Sequence, residues 1–138
     1  MNNATAYAAP VGRIFLALIF IIMGISKLGN FAGTQGWMES MGVPGVLLSA
    51  VIAVEIGGGL AVLLGWKTRI AAFLLAGFSL LTAVIFHTDF ADQNQLIAFL
   101  KNVALAGGFL MIVAQGAGAF ALDNLRTGKA PQGAPATA

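Results

Sequence analysis

Four long apolar stretches constrain this chain more than any other feature of its sequence. They cover about residues 10–28, 45–66, 70–87 and 96–116, and each is close to the ~20 residues that cross ~30 Å of hydrocarbon. Charged residues make up only 9% of the 138 residues, against about 25% in a soluble domain. The sequence therefore predicts an all-α polytopic membrane protein, with a four-transmembrane-helix bundle within residues 1–123.

The amino-acid composition excludes several classes of function. The chain has no cysteine, which excludes disulfides, iron–sulfur clusters and thiol–disulfide exchange. Its one histidine excludes a multi-histidine metal site, so no metal is expected. The net charge is only +2 and the cations are scattered along the chain, which argues against a nucleic-acid partner.

The segments outside the four stretches have their own signals. Residues 124–138 are rich in Ala, Pro and Gly and predict a disordered tail. Residues 29–43 contain no Lys or Arg and predict a short helix on the membrane surface. The first apolar stretch lacks a basic segment before it and is long for a signal peptide, so it is expected to remain as a helix.

Charged residues outside the stretches predict the orientation. Cations fall in the second turn and the tail, whereas the loop after the third stretch carries acids; the residues are Lys67, Arg69, Arg126, Lys129, Asp89 and Asp92. The positive-inside rule then places both termini in the cytoplasm, for a multi-pass protein of the bacterial inner membrane. Exposed helix surfaces rich in small residues also fit a homo-oligomer.

Glu55 is the most informative polar residue, because it falls near the middle of the second stretch. A charge in hydrocarbon costs ~2.5 kcal/mol or more, so Glu55 is expected to face the bundle interior. Small residues let helices approach closely in a membrane. The glycines predicted to pack helices together are Gly24, Gly57, Gly58, Gly59 and Gly108.

Three cations are candidate partners for Glu55: Lys101, Lys27 and Arg13. Helix depth favours a cluster in the outer half of the bundle, made of Glu55, Lys27, Lys101 and His87 with Asn102 as a neutral neighbour. Arg13 lies nearer the cytoplasm and is the alternative partner. Such a pair can simply fix helix packing, and residues near helix ends can extend to the interface. The cluster is thus a candidate ligand or proton site, or a structural ion pair.

The charges of this cluster do not balance. Two definite cations and one titratable imidazole meet a single acid, and buried unmatched charge is costly. Water, the loop carboxylates Asp89 and Asp92, or a bound polar head group can compensate it. A quinone carbonyl or an anionic lipid fits, because a cationic donor stabilises oxygen that gains negative charge.

Several short motifs in order resemble the DoxX family. They are Arg13, Gly24-x-x-Lys27-Leu28, Glu55-x-Gly57-Gly58, Gly65-x-x-Thr68-Arg69, His87, Lys101-Asn102-x-Ala104-Leu105-x-Gly107-Gly108 and Leu122-Asp123. The resemblance covers about residues 11–123 and implies a small integral membrane protein with four helices. Family members are similar to membrane subunits of an archaeal quinol oxidase and thiosulfate:quinone oxidoreductase.

The resemblance implies a quinone-linked oxidoreductase subunit with a membrane or soluble redox partner. The chain offers no cofactor-binding motif of its own, so the expected cofactor is a membrane quinone. Two other functions stay open: a small transporter or permeability factor for a metabolite or lipid, and a non-catalytic scaffold for a soluble partner. A quinone retained by the purified protein would favour the oxidoreductase subunit, and a water-filled cavity open to one side would favour the transporter. A bundle with no cavity and a fully paired Glu55 would favour the scaffold.

Overall fold

The computed structural model describes residues 3–128, and all regular structure within them is helical. The helices are α1 (Asn3–Gly29), α2 (Phe31–Ser40), α3 (Leu48–Leu64), α4 (Thr68–Phe86), α5 (Gln93–Gln115) and α6 (Leu122–Thr127), with a short 3₁₀ turn at Gly45–Leu47. Four helical segments are long and apolar enough to cross a membrane: Ala6–Gly29, Gly45–Leu64, Thr68–Phe86 and Gln93–Gln115. The predicted fold class is confirmed.

The four long helices form a bundle in which each one packs beside the next long helix along the chain. α1 packs along α3, α4 packs along α5, and a looser seam joins α3 to α4. α3 and α5 therefore lie diagonally across the bundle. Its middle is filled by buried Phe20, Leu75 and Phe109, and the rings of Phe20 and Phe109 meet edge to face at 5.3 Å. This core separates the two ends of the bundle.

The two ends carry different structures. We call the end covered by α2 the α2 face; it also holds the loop between α4 and α5. The other end, which we call the terminal face, holds the start of α1, the α3–α4 turn and α6. α2 is packed onto the bundle, because Met38 is buried against Leu48 and Ile52, and the ring of Trp37 stacks on Phe86 at 4.7 Å. A helix is thus present within residues 29–43.

The observed helix boundaries differ from the predicted ones at several helix ends. α1 begins at Asn3 with Pro10 inside it, because the alanine-rich residues before Pro10 favour a helix. α3 ends at Leu64 because Gly65 takes a left-handed conformation at φ +70°. α5 begins at Gln93, three residues before the predicted start, because the Asp92 carboxylate accepts from the Asn94 amide at 2.9 Å.

The start of the predicted disordered tail is helical. Asn124 to Thr127 belong to α6 (Leu122–Thr127). The segment is held by Asp123, whose amide donates to the Gly65 carbonyl at 2.8 Å and whose carboxylate accepts from Lys67 and Thr68 amides at 2.7 and 2.9 Å. The prediction of disorder is thus wrong for these residues, while residues 129–138 lie outside the part that the structure describes.

Candidate functional site

An ion pair joins α1 to α3 near the α2 face. The Lys27 ammonium donates to both carboxylate oxygens of Glu55, at 2.8 and 2.9 Å. The Glu55 side chain is only 7% exposed and that of Lys27 is 25% exposed, so the acid is inside the bundle and the cation reaches it from the edge. Of the three cations considered for Glu55, the partner is Lys27. Pairing with Lys101 or with Arg13 is wrong.

A glycine one turn before Lys27 makes this pair possible. A Cβ atom at Gly24 would lie 2.5 Å from Cγ1 of Ile56 and 3.3 Å from Cβ of Glu55. Only a residue without a side chain lets α1 approach α3 this closely, and that approach brings the lysine within reach of the acid.

Of the other four glycines predicted to pack helices, three lie against a neighbouring helix and one does not. A Cβ atom at Gly58 would meet Leu75 at 2.9 Å, one at Gly59 would meet Ile21 at 2.8 Å, and one at Gly108 would meet Leu16 at 3.0 Å. Gly57 has nothing within 4 Å of such an atom and is exposed, so the packing role expected of it is wrong. The helical rotation turns Gly57 away from the face that Gly58 and Gly59 share.

A cavity of about 180 Å³ lies beside the ion pair. Five of the residues predicted for the outer-half cluster line it: Lys27, Glu55, His87, Lys101 and Asn102. The remaining walls are mostly apolar or aromatic and come from α1 to α5: Ile19, Phe20, Met23, Thr34, Trp37, Met38, Val51, Phe78, Thr82, Phe86 and Leu105. Residues from five helices thus surround one space with a polar side and an apolar side.

Three polar side chains of the cavity wall keep hydrogen-bonding capacity. Lys101 is exposed and makes no hydrogen bond or ion pair with any part of the chain that the structure describes. Asn102 donates one amide hydrogen to the Ala98 carbonyl at 2.9 Å, which leaves its side-chain oxygen as an acceptor. His87 Nδ1 lies 2.8 Å from Oε1 of Gln95. A ring with its proton on Nδ1 donates to that oxygen and leaves Nε2 as an acceptor, so the roles of the two nitrogens depend on the tautomer.

Arg13 lies at the opposite end of the bundle from this cavity. It is fourteen residues from Lys27, or about 21 Å along a helix. Its Nη2 donates to the Phe120 carbonyl at 3.0 Å, and the residue is only 3% exposed. Its Nε and Nη1 are buried without a hydrogen-bond partner among the described residues. Arg13 therefore holds the segment after α5 and is no part of the cluster around Glu55.

The loop carboxylates also lie apart from the cavity. Asp89 accepts from the Ala91 amide at 3.3 Å, and Asp92 caps α5. Neither lines the cavity wall. They are therefore poorly placed to balance the cations there. No cluster of three potential metal ligands occurs anywhere in residues 3–128.

Sequence reasoning missed the residues that α2 and α4 add to this cavity. Thr34 and Trp37 close it from α2, and Thr82 and Phe86 line it from α4. The sequence signal that could have found them is the segment that forms α2. It contains no Lys or Arg and follows Lys27 directly, so it is expected to lie over the end of the bundle.

Four long apolar helices packed as a bundle, with a charged pair and a cavity beside it, define a small polytopic membrane protein. The sequence profile of the DoxX family matches residues 8–88, which is more than half of the chain. The chain belongs to the DoxX family.

Curated relatives agree with this assignment. The inner membrane protein YqjF of Escherichia coli (strain K12) is 48% identical over 115 residues, covering 83% of this chain and 88% of the relative. The inner membrane protein YphA of the same organism is 42% identical over 121 residues, covering 83% and 86%. A Bacillus subtilis (strain 168) protein named "Putative oxidoreductase CatD" is 32% identical over 85 residues, covering 62% and 63%. No solved structure matches the chain.

Proposed function

We propose that this DoxX protein is a quinone-binding subunit of an oxidoreductase in the bacterial inner membrane. The observation that carries the proposal is the cavity at the α2 face, with its cationic and hydrogen-bonding side and its aromatic wall. Two relatives named as inner membrane proteins and one named "Putative oxidoreductase CatD" are consistent with it.

The size of the cavity suits one substituted ring. An apolar protein cavity of ~150 Å³ holds a benzene molecule, and this one measures about 180 Å³. The aromatic side chains of Trp37 and Phe86 lie on its wall and stack on each other. A flat ring can pack against them, while an isoprenoid tail extends between helices into lipid.

The polar side of the cavity matches the two carbonyl oxygens of a quinone. Lys101 has a free ammonium group and can donate to one carbonyl. A cation there stabilises the negative charge that the oxygen gains on reduction. Lys27 is held by Glu55, so the pair adds little net charge and Lys101 is the cation that would contact the ligand.

Reduction of a quinone to a quinol takes two electrons and two protons. His87 at the rim can pass protons, because its Nδ1 is fixed by Gln95 and its Nε2 can exchange. We propose that a redox partner supplies the electrons. The role of this chain is therefore to bind and orient the quinone and to supply charge and protons.

The closed middle of the bundle favours binding over transport. Phe20 and Phe78 line the cavity on its inner side, and Phe20 contacts both Phe78 and Phe109 through edge-to-face pairs. A transported solute would have to pass this buried aromatic group. A non-catalytic scaffold would account for the Lys27–Glu55 pair, but it would not account for a cavity beside that pair.

Charge distribution supports a cytoplasmic terminal face. Among the described residues, the terminal face carries Arg13, Lys67, Arg69 and Arg126 but only Asp123 as an acid. The α2 face carries Lys27 and Lys101 with Glu39, Glu55, Asp89 and Asp92. The positive-inside rule then places the cavity in the periplasmic half of the membrane.

The two tryptophans allow a direct test with short-chain ubiquinone and menaquinone analogues. Trp37 lines the cavity and Trp66 lies at the terminal face, and both residues are 45% exposed. In the Trp66→Phe variant the quinone should quench Trp37 fluorescence with saturation near one equivalent. In the Trp37→Phe variant it should quench Trp66 only in proportion to its concentration in the micelle.

Lys101→Ala supplies the matched binding variant, because Lys101 makes no hydrogen bond or ion pair within residues 3–128. We expect it to fold normally and to lose the saturable part of the quenching. Lipid extracts of the purified parent should contain native quinone, and those of Lys101→Ala should not. Equal, non-saturating quenching of both tryptophans, with no quinone in the parent extract, would overturn the proposal.

A further inference from the structure

We propose that the terminal face binds an anionic phospholipid, with the phosphate between Lys67 and Arg69 and one acyl chain in the groove between α3 and α4. The site lies at the opposite end of the bundle from the cavity at Glu55. It is independent of the quinone proposal.

A polar pocket at the terminal face supplies the place for the head group. It measures about 460 Å³ and is lined by both cations and by polar residues after α5, including Gln115 and Asn124. The Arg69 guanidinium packs against the backbone of Gly116, where a Cβ atom would lie 3.3 Å from Nη2. Position 116 is a glycine with φ +86°. Because it has no side chain, there is room for the arginine to lie across the pocket.

Both cations of the pocket lack a carboxylate partner. Lys67 and Arg69 make no side-chain ion pair within residues 3–128. The one acid that lines the pocket is Asp123, and its oxygens accept from the amides of Lys67 and Thr68 and from the Thr68 hydroxyl. Two side-chain cations thus face a pocket whose acid is bound to the start of α4. An anion bound in the pocket would balance the positive charges of Lys67 and Arg69.

An apolar groove begins where the polar pocket ends. It measures about 210 Å³, runs along the looser seam between α3 and α4, and is walled by Gly58, Ala61, Leu74 and Leu75 among others. Lys67 and Ile70 line both the groove and the polar pocket. One cation therefore stands at the junction of a polar space and an apolar one, which is the arrangement that a phospholipid needs.

Trp66 marks the depth of this junction. Its ring lines the groove, and the Lys67 ammonium lies 5.3 Å from the ring centroid. Tryptophan is enriched at the membrane–water interface, where lipid phosphates also lie. Basic pockets between transmembrane helices at this depth suit anionic head groups. The apolar groove distinguishes a phospholipid from a soluble phosphate, because only the lipid would occupy both spaces.

Native mass spectrometry of the full chain released from micelles tests the site. The probes are phosphatidylglycerol, phosphatidylcholine and soluble glycerol-3-phosphate. We expect phosphatidylglycerol to bind more tightly than phosphatidylcholine and glycerol-3-phosphate to bind negligibly. The double variant Lys67→Asn, Arg69→Gln should weaken phosphatidylglycerol binding about 25-fold, at about fivefold for each cation. Asn suits position 67, where φ is +44°.

Matched variants separate the site from the total charge of the protein. Lys101→Gln removes a cation from the α2 face and should leave phosphatidylglycerol binding unchanged. Val54→Phe fills the groove and should weaken it, whereas Ile22→Phe, on the lipid-facing surface of α1, should not. Equal binding by parent and the double variant would overturn the proposal. So would an equal loss in Lys101→Gln, or binding of glycerol-3-phosphate as tight as that of the lipid.

Discussion

The Asp123 carboxylate accepts hydrogen bonds from the backbone amide and the hydroxyl of Thr68, at 2.9 and 2.7 Å, across a separation of 55 residues. Thr68 is fully buried and opens α4. The residue that caps a helix usually comes just before it, but here Lys67 occupies that position in a left-handed conformation without a side-chain cap. The segment after α5 therefore completes the start of α4.

Asp123→Ala should lower the free energy of unfolding by about 1 kcal/mol, the usual value of a helix cap. The change removes three acceptor contacts at the start of α4. Unfolding in mixed micelles at pH 7 measures it. Asp89→Asn, in an exposed loop, is the control and should be neutral. An equal effect of both changes would contradict the role of Asp123.

The contribution of Asp123 should also depend on pH. Burial favours its neutral form, but hydrogen bonds from Thr68 and Lys67 and the charge of Arg126 outweigh this and hold its pKa below the ordinary value of 3.8. The folded state thus binds this proton less readily than the unfolded one. The stabilisation is present above pH 3.8 and is lost as the pH falls through the folded pKa. The difference in stability between parent and Asp123→Ala should therefore vanish in stronger acid.

The Lys27–Glu55 pair should behave as a unit in a double-mutant cycle. Lys27→Met should cost about 3 kcal/mol, because it leaves Glu55 buried without its partner. The double variant Lys27→Met, Glu55→Leu should recover most of this loss, since well-packed apolar residues can replace a buried pair. Lys101→Met is the matched control and should not change unfolding. Simple additivity of Lys27→Met and Glu55→Leu would show that the two side chains do not interact in the membrane.

Arg13→Met should loosen the segment after α5 while the bundle remains folded. The change removes the hydrogen bond to the Phe120 carbonyl. It also removes two buried nitrogen atoms without partners among the described residues, which offsets part of the loss. Hydrogen exchange should rise in residues 116–121 and stay constant in α3. Unchanged exchange in that segment would mean that Arg13 does not hold it.

Gly24→Ala and Gly57→Ala form a matched pair of tests. The added methyl group at Gly24 would meet Ile56 and Glu55, so we expect a loss of about 1–3 kcal/mol. The same change at Gly57 meets open space and should be neutral or stabilise by up to about 1 kcal/mol. Unfolding in mixed micelles compares them. Equal effects would mean that α1 does not depend on close approach to α3.

Sequence patterns predicted the helices well because membrane helices are long and nearly uniform in polarity. Local signals at their ends were less decisive. The apolar stretch predicts a helix from residue 10, but the alanines before Pro10 extend it. α6 is stabilised because Asp123 binds a distant turn. A contact across 55 residues leaves no trace in local composition.

The members of the cavity were predictable, but the pairing inside it was not. Helical spacing placed Glu55, His87, Lys101 and Asn102 in one half of the bundle, and they do line one space. The choice between Lys27 and Lys101 depends on which helices are neighbours. α3 packs beside α1, and α5 lies across the bundle, so the lysine from the adjacent helix reaches the acid.

The separation of 28 residues between Lys27 and Glu55 has a consequence for the synthesis of the protein. A ribosome that adds about 5–20 residues per second needs roughly one to six seconds to cover that distance. During this interval α1 has been made, but the acid that neutralises its lysine has not. We expect α1 to stay beside the insertion machinery until α3 emerges. The two helices would then enter the lipid together, with the charges of the lysine and the acid paired.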